Sequence, residues 1–214
     1  LRFNWNTPLH LSASKPGTIY YGAQYLFRSK DRGESWEAIS PDLTTNDPDK
    51  HSKPTGGITL DQTGAETHCT ITTIAESPRR PGLIWVGTDD GNVQVTRDGG
   101  IHWTNVRENV PNVPAEIWVS RVEASRFDEG TCYLTFDGHR SDTFAPFVFK
   151  TTDYGKTWID ISGNIPGGPV NVIREDPKKK DILYVGTDLG VYVTLDGGTA
   201  WHALANGLPT CLVW

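Results

Sequence analysis

The chain has 214 residues, of which 36% are hydrophobic and 21% charged, with 22 glycines, 14 prolines and a formal net charge of −6. This composition is too apolar for a disordered chain and too rich in glycine and proline for long helices. The acidic charge, without a long run of Lys and Arg, excludes a typical nucleic-acid partner, and no apolar stretch is long enough for a membrane span.

Short β-rich runs follow one another along the chain in pairs. The pairs are 18–22 with 26–29, 83–88 with 93–96, 131–136 with 147–151, and 182–187 with 191–194. A further apolar run precedes three of these pairs, at 70–75, 117–124 and 170–174. Together with a fourth strand after each pair, this pattern predicts a repeating antiparallel unit of four strands.

The same eight-residue turn follows every pair, at 29–36, 96–103, 151–158 and 194–201. A hydroxyl residue, Asp, Gly and Trp hold its first, third, fifth and eighth positions; we call it the repeated turn. Its Asp, Gly and Trp residues are Asp31, Gly33, Trp36, Asp98, Gly100, Trp103, Asp153, Gly155, Trp158, Asp196, Gly198 and Trp201. The Asp can accept backbone N–H groups, the Gly permits a positive φ, and we expect every Trp to be buried between neighbouring sheets. These twelve residues are therefore predicted to be structural.

The spacing between the aspartates of the repeated turns is 67, 55 and 43 residues. The last interval is near the length of one four-stranded propeller blade, so the first two carry insertions. One insertion lies at about 41–68, between blades, and the other at about 137–146, between the second and third strands of a blade. Both are predicted on the face opposite the repeated turns, where propellers often place recognition.

The motif S/T-x-D-x-G-x-T-W resembles the Asp-box, or BNR, repeat of β-propellers such as sialidases, xyloglucanases and sortilin-type receptors. With the stretches 3–8, 87–100 and 136–142, the chain resembles bacterial sortilin-like proteins labelled as BNR-repeat glycosyl hydrolases. The resemblance covers nearly the whole chain. It implies an all-β propeller of four-stranded antiparallel blades and a secreted, cell-surface or periplasmic location.

Residues 1–214 are interpreted as one partial propeller, an arc of four blades within a larger ring. The blades are predicted at about 1–40, 67–108, 115–163 and 168–208, with 3–14 as the connection into the first blade and 211–214 as the start of a further inner strand. Because the chain contains no Met, we expect it to be a processed product or a piece of a longer protein. The remaining blades or another protein chain are then expected to close the arc.

Candidate site residues follow from the position of the loops. Carboxylates that could form a glycosidase pair are Glu66, Asp89, Asp90, Asp137 and Asp188. Residues that could bind a ligand are His68, Trp118, His139, Arg140, Asp142 and Phe144. Each also has a simpler interpretation as a solvated loop residue, a turn former, a salt bridge or a core aromatic.

Two functions stay open at this level. The first is an extracellular recognition or assembly propeller that binds a peptide, a glycan or a partner subunit on the loop face. The second is a glycoside hydrolase acting on a polysaccharide through a pair of carboxylates. A sialidase would need a cluster of arginines; Arg140 and Arg121 are available, but no third arginine is apparent on this face. The spacing of Cys69, Cys132 and Cys211 indicates neither disulfides nor a metal site, and we expect buried thiols of open redox state. No cofactor or metal is expected.

Overall fold

The computed structural model describes residues 1–51, 67–204 and 207–214. These residues form four antiparallel sheets, each of four strands that pair in chain order. The first two sheets contain β1 (Leu9–Leu11), β2 (Ile19–Gly22), β3 (Leu26–Ser29), β4 (Glu37–Ala38), β5 (Ile71–Glu76), β6 (Ile84–Thr88), β7 (Val93–Thr96) and β8 (Thr104–Asn105). The other two contain β9 (Trp118–Ala124), β10 (Cys132–Asp137), β11 (Phe147–Thr151), β12 (Ile159–Asp160), β13 (Val170–Glu175), β14 (Leu183–Thr187), β15 (Gly190–Thr194) and β16 (His202–Ala203).

Helix is limited, within the described residues, to α1 (Pro48–His51) and two short 3₁₀ segments, Arg107–Asn109 and His139–Ser141. None of these helices is long and apolar enough to cross a bilayer.

The four sheets are blades of a β-propeller. The first strands β1, β5, β9 and β13 contact one another in sequence, so each sheet extends outward from a shared hub. The second strands β6 and β10 are buried along their whole length, because a neighbouring sheet covers each face. The outermost strands have two exposed residues each, which shortens the unpaired edges. The predicted all-β propeller of four-stranded antiparallel blades is therefore confirmed.

Each repeated turn is closed by the same hydrogen bonds. In the third blade the Gly155 N–H donates to Thr151 Oγ1 at 2.9 Å, and the Thr151 hydroxyl donates to Asp153 at 2.8 Å. Asp153 also accepts the Thr157 N–H at 2.9 Å. The other three turns repeat this arrangement. The glycine of each turn has a φ between 83° and 103°, which a residue with a Cβ resists.

The charged form of the aspartate is stabilised by these donors, and this predicts acid sensitivity. The side-chain and backbone bonds from Ser35, with the Ser29 hydroxyl, lower the pKa of Asp31 to about 2, and the pKa of Asp98 is lowered chiefly by the His102 N–H. A depressed pKa gives stability that is present above the unfolded pKa and lost as pH falls toward the folded one. We expect the melting temperature to fall between about pH 4 and pH 2. Asp31→Asn should make this fall shallower in calorimetry, and a flat profile over that range would contradict the assignment.

The tryptophan of a repeated turn packs against the blade before it. Trp103 Nε1 donates to the Ile39 carbonyl at 3.0 Å, and Trp201 Nε1 donates to the Ile161 carbonyl at 2.8 Å. Trp158 instead packs its ring edge-on against Trp85, with centroids 6.0 Å apart. Trp158 and Trp201 are buried as predicted, and Trp103 is partly buried.

The expectation that every turn tryptophan is buried is wrong for Trp36, which is 43% exposed. Because blade order makes each tryptophan contact the preceding blade, and no described residue forms a blade before the first, Trp36 lacks that cover. Its Nε1 donates within its own turn, to Gly33 at 3.0 Å. It lines an apolar hollow of about 350 Å³ with Leu1, Phe3, Leu9, Tyr21 and Phe27.

Two of the three blade interfaces contain a hydrogen bond from a tyrosine of one blade to a glutamate of the next. The Tyr20 hydroxyl of the first blade donates to Glu76 of the second at 3.0 Å. The Tyr133 hydroxyl of the third blade donates to Glu175 of the fourth at 3.1 Å. At the middle interface Trp85 stands at the tyrosine position and Ala124 at the glutamate position, so an apolar contact replaces the tyrosine–glutamate bond there.

The structure of both ends of the chain differs from what the sequence predicts. Residues 3–14, interpreted as a connection, contain the inner strand β1. Residues 211–214 form no strand, although the Val213 N–H donates to the Thr187 carbonyl at 3.1 Å, so the further inner strand stays a prediction. Cys69 and Cys132 are buried thiols, whereas Cys211 is exposed, contrary to the expectation for all three cysteines.

Candidate functional site

Four of the predicted aspartates lie at one end of the blades. Asp89 and Asp90 follow β6, Asp137 ends β10, and Asp188 follows β14. Since consecutive strands are antiparallel, these connections lie opposite the repeated turns. We call these four residues and the segment 138–146 the decorated rim. Glu66, the fifth predicted carboxylate, lies outside the described residues.

Asp89 and Asp90 are buried and held by hydroxyl and amide groups. Asp89 accepts the Thr70 N–H at 2.8 Å and the Thr70 hydroxyl at 2.6 Å. Asp90 accepts the Thr45 N–H at 2.8 Å and its hydroxyl at 2.7 Å, together with the Thr88 hydroxyl. Burial raises the pKa of Asp89, which is only 1% exposed. Neither carboxylate presents a free oxygen to a ligand.

Asp137 and Asp188 bind the inserted segment to the blades. Asp137 accepts the His139 N–H at 2.9 Å and pairs with Arg140 at 2.8 Å. Asp188 of the fourth blade accepts from Asn171 at 3.0 Å and contacts His139 Nδ1 at 3.0 Å. His139 therefore connects the third blade to the fourth.

The inserted segment also places aromatic and cationic groups at the rim. His139 and Phe144 meet edge to face with centroids 5.8 Å apart, and Phe144 is 56% exposed. The Arg140 guanidinium lies 4.3 Å from the centre of the Trp118 ring. Asp142 ends the 3₁₀ segment with a left-handed φ of 51°.

Four predicted ligand-binding residues thus gather on the third blade: Trp118, His139, Arg140 and Phe144. His68 lies apart from them, between the first and second blades, with Nδ1 3.9 Å from Cys69 Sγ. Burial raises the pKa of the Cys69 thiol to about 11, so this thiol is protonated and unreactive at neutral pH.

A cavity of about 730 Å³ adjoins these residues at the hub. Its lining combines inner-strand residues with Arg140 of the rim and a tryptophan near the C-terminal end: Asn6, Thr72, Trp118, Ser120, Arg121, Arg140, Val172, Arg174 and Trp214. The inner strands β5, β9 and β13 each carry a bulge at the same level. A bulge re-aims side chains, so residues at successive positions of β9, Ser120 and Arg121, both line the cavity.

Arg121 is the least satisfied charged group in this cavity. Its Nε is buried without a hydrogen-bond acceptor, and no ion pair to it occurs within the described part of the chain. Desolvation lowers the pKa of its guanidinium, with Glu123 opposing this effect. Arg174 pairs with Glu123 at 2.8 Å, and burial raises the pKa of Glu123 to about 7. The cavity is therefore locally cationic in an acidic protein.

Residues 1–51, 67–204 and 207–214 contain no candidate metal site. No group of three or more His, Cys, Asp or Glu side chains there could hold a metal ion.

No family model matches the chain. Among curated proteins, it is 26% identical over 133 residues to the photosystem II assembly protein Ycf48 of Synechococcus sp. (strain JA-2-3B'a(2-13)), covering 61% of this chain and 35% of that protein. It is 27% identical over 110 residues to an oligoxyloglucan-reducing end-specific xyloglucanase of Emericella nidulans, covering 50% of this chain and 13% of that protein. The chain therefore spans about a third or less of either relative.

Solved structures agree on the fold. The GH74 xyloglucanase of Xanthomonas campestris superposes with a TM-score of 0.66 at 21% identity, over 92% of this chain and 29% of the other. A structure of YCF48 bound to D1 peptide gives a TM-score of 0.53 at 14% identity, over 94% of this chain and 56% of the other. At these identities the likeness establishes a propeller fold, and the resemblance to sortilin-like proteins stays a prediction.

Sequence reasoning did not find the cationic cavity as a unit. It identified Arg121 and Arg140 as available, but it expected no third arginine nearby, whereas Arg174 lines the same cavity. Trp214 was also missed. The position of Arg174 on a predicted inner strand was the available signal.

Proposed function

We propose that the chain is the ligand-recognition part of a sortilin-like β-propeller, secreted or held at a cell surface or in a periplasm. It binds a glycan, a peptide or a partner subunit at the decorated rim and the adjoining cavity, without converting the ligand chemically. The observation that carries this proposal is the state of the rim carboxylates: both oxygens of Asp89, Asp90, Asp137 and Asp188 accept hydrogen bonds from the protein.

Glycoside hydrolysis requires a different arrangement. One carboxyl group must donate a proton to the leaving oxygen while a second attacks or activates water, and both must reach the substrate. Burial raises the pKa of Asp89, as an acid catalyst requires, but the carboxyl group is buried and accepts hydrogen bonds from Thr70 and Asn4. The relatives include both an assembly protein and a xyloglucanase, so they favour neither function.

The exposed side chain of Phe144 on the decorated rim is the second observation that supports a recognition function. A large exposed apolar side chain that is fixed by a neighbour, as Phe144 is by His139, is typical of a contact residue in recognition surfaces. The proposal also includes a further blade against Trp36, because the equivalent Trp103 and Trp201 are each covered by a neighbouring blade.

Phe144→Ala should weaken ligand binding by more than about 1 kcal/mol, or roughly fivefold or more in Kd. The test uses an array of acidic and neutral oligosaccharides and short peptides, followed by titration of the strongest hits. Ile101→Ala is the matched control, because Ile101 is an exposed apolar residue of a repeated turn on the opposite rim. Mass spectrometry of the bound ligands should show them intact.

Cleavage of a bound oligosaccharide that Asp137→Asn abolishes would overturn the recognition proposal in favour of hydrolysis. Equal affinity of the Phe144 and Ile101 variants would contradict the placement of the binding site at the decorated rim.

A further inference from the structure

The cavity at the hub contains an arginine that has no hydrogen-bond or ion-pair partner among the described residues. Arg121 donates no side-chain hydrogen bond within the described residues, and its Nε is sealed from solvent. Buried guanidinium groups in folded proteins normally have acceptors, because an unmade bond of a buried donor costs free energy. Arg121 also lines the cavity. An acceptor that enters the cavity would therefore complete the coordination of Arg121.

We propose that Arg121 and Arg174 bind the carboxylate of an acidic oligosaccharide, whose sugar rings lie against Trp118 and Trp214. This inference rests on the proposed recognition function and names the class of ligand for the cavity.

The charge of the cavity selects an anion. Three arginines line it, and two of them have carboxylate partners, Arg174 with Glu123 and Arg140 with Asp137. Arg121 is the one left in excess among these three. A guanidinium presents parallel N–H groups that match the two oxygens of a carboxylate, and such charge-assisted bonds are stronger than neutral ones.

The main chain around the cavity argues against a peptide that adds as a strand. The Thr72 hydroxyl donates to the Val119 carbonyl at 2.8 Å, and the Ser120 hydroxyl donates to the Val170 carbonyl at 2.5 Å. The Val122 N–H donates to Thr73 Oγ1 at 3.2 Å. Because neighbouring blades already satisfy these edge groups, strand addition, which depends on main-chain hydrogen bonds, has no free partners at these positions. Recognition there must use side chains.

The side chains beside the arginines fit a saccharide. Trp214 offers an indole that is 63% exposed, and Trp118 lines the same cavity with the Arg140 guanidinium over one face of its ring. Asn6 lines the same cavity, and its side-chain amide can donate to and accept from sugar hydroxyl groups. A volume of about 730 Å³ accommodates several sugar rings rather than a single small anion.

Calorimetric titration with trigalacturonate and 3′-sialyllactose tests the inference, with cellotriose and lactose as neutral counterparts. We expect at least one acidic probe to bind and its neutral counterpart to bind about tenfold more weakly or not at all. Arg121→Gln should weaken the acidic probe about 10- to 100-fold. Arg79→Gln is the matched control, because Arg79 is exposed on the opposite rim and should leave Kd unchanged.

Arg174→Gln is a second test, in case Arg121→Gln lowers affinity only because it impairs folding. Arg174 is more than half exposed, and its replacement should weaken the acidic probe while the melting temperature stays near that of the wild type. Failure of both acidic probes to bind, or equal affinity for acidic and neutral probes, would overturn the inference. Binding of a short peptide with a free carboxyl terminus, but of neither saccharide, would also overturn it and leave the recognition function intact. Hydrolysis of a probe would instead count against the recognition function.

A pH titration supplies an independent readout. Glu123 faces Arg121 on its own strand, Arg126 beyond that strand, Arg174 and Glu175 on β13, and the thiol of Cys132 on β10. Its raised pKa of about 7 means that it takes up a proton between pH 8 and pH 6, which frees Arg174 for the ligand. Affinity for the acidic probe should rise over this range, and Glu123→Gln should raise the affinity at pH 8 and flatten the profile. An affinity that falls toward pH 6 would contradict the proposed role of Arg174.

Discussion

Trp201→Ala is expected to lower the free energy of unfolding by about 3–5 kcal/mol, whereas Trp36→Ala is expected to cost about 1 kcal/mol or less. The two residues hold the same position of the repeated turn. Trp201 is 3% exposed and donates to the carbonyl of Ile161 in the preceding blade. Trp36 is 43% exposed, and within the described part of the chain its Nε1 donates only to Gly33 of its own turn. The difference between the variants therefore measures the interface between blades.

Guanidinium denaturation followed by far-ultraviolet circular dichroism gives both free energies. Each variant retains the Asp and Gly of its repeated turn, so we expect the turn itself to stay intact in both. Equal losses for the two variants would mean that another surface covers Trp36 in solution.

Gly198→Ala should be more destabilising than Gly33→Ala by about 1–3 kcal/mol. Both glycines have nearly the same backbone conformation, with φ of 101° and 99°, so both variants carry a similar strain of about 1–2 kcal/mol. A Cβ on Gly198 would lie 2.7 Å from the Cβ of Ile161 in the neighbouring blade. A Cβ on Gly33 would meet only Trp36, at 3.8 Å.

The same denaturation experiment measures this pair. Since the backbone strain cancels in the comparison, the remaining difference reports the close approach of one blade to the next. A difference near zero would mean that the interface relaxes around the added methyl group.

The fold was accessible from the sequence because one local motif recurs. The hydrogen bonds of the turn at 151–158 join residues two to four positions apart, so residue types at fixed spacing determine them. The exposure of Trp36 was not accessible in this way. The motif specifies the turn, but burial of the indole depends on which blade stands next to it.

The candidate site was accessible only in part. Strand order placed Asp89, Asp90, Asp137 and Asp188 at one end of the blades. Their partners were not predictable, since Asp90 is bound by Thr45, 45 positions away, and Asp188 by His139, 49 positions away. Arg174 was missed because the bulge between Val170 and Val172 shifts the alternation of β13 before that residue.

The blade interfaces also differ in the kind of contact that must break before neighbouring blades can separate. Tyr20 with Glu76, and Tyr133 with Glu175, form hydrogen-bonded contacts, whereas Trp85 and Trp158 form an apolar one within a continuous core. Water can replace a hydrogen bond, but it cannot replace the packing of two indoles. Partial opening should therefore release the outer blades first and keep the two middle blades together as one cooperative unit. In native-state hydrogen exchange, amides of β6 and β10 should be the slowest to exchange.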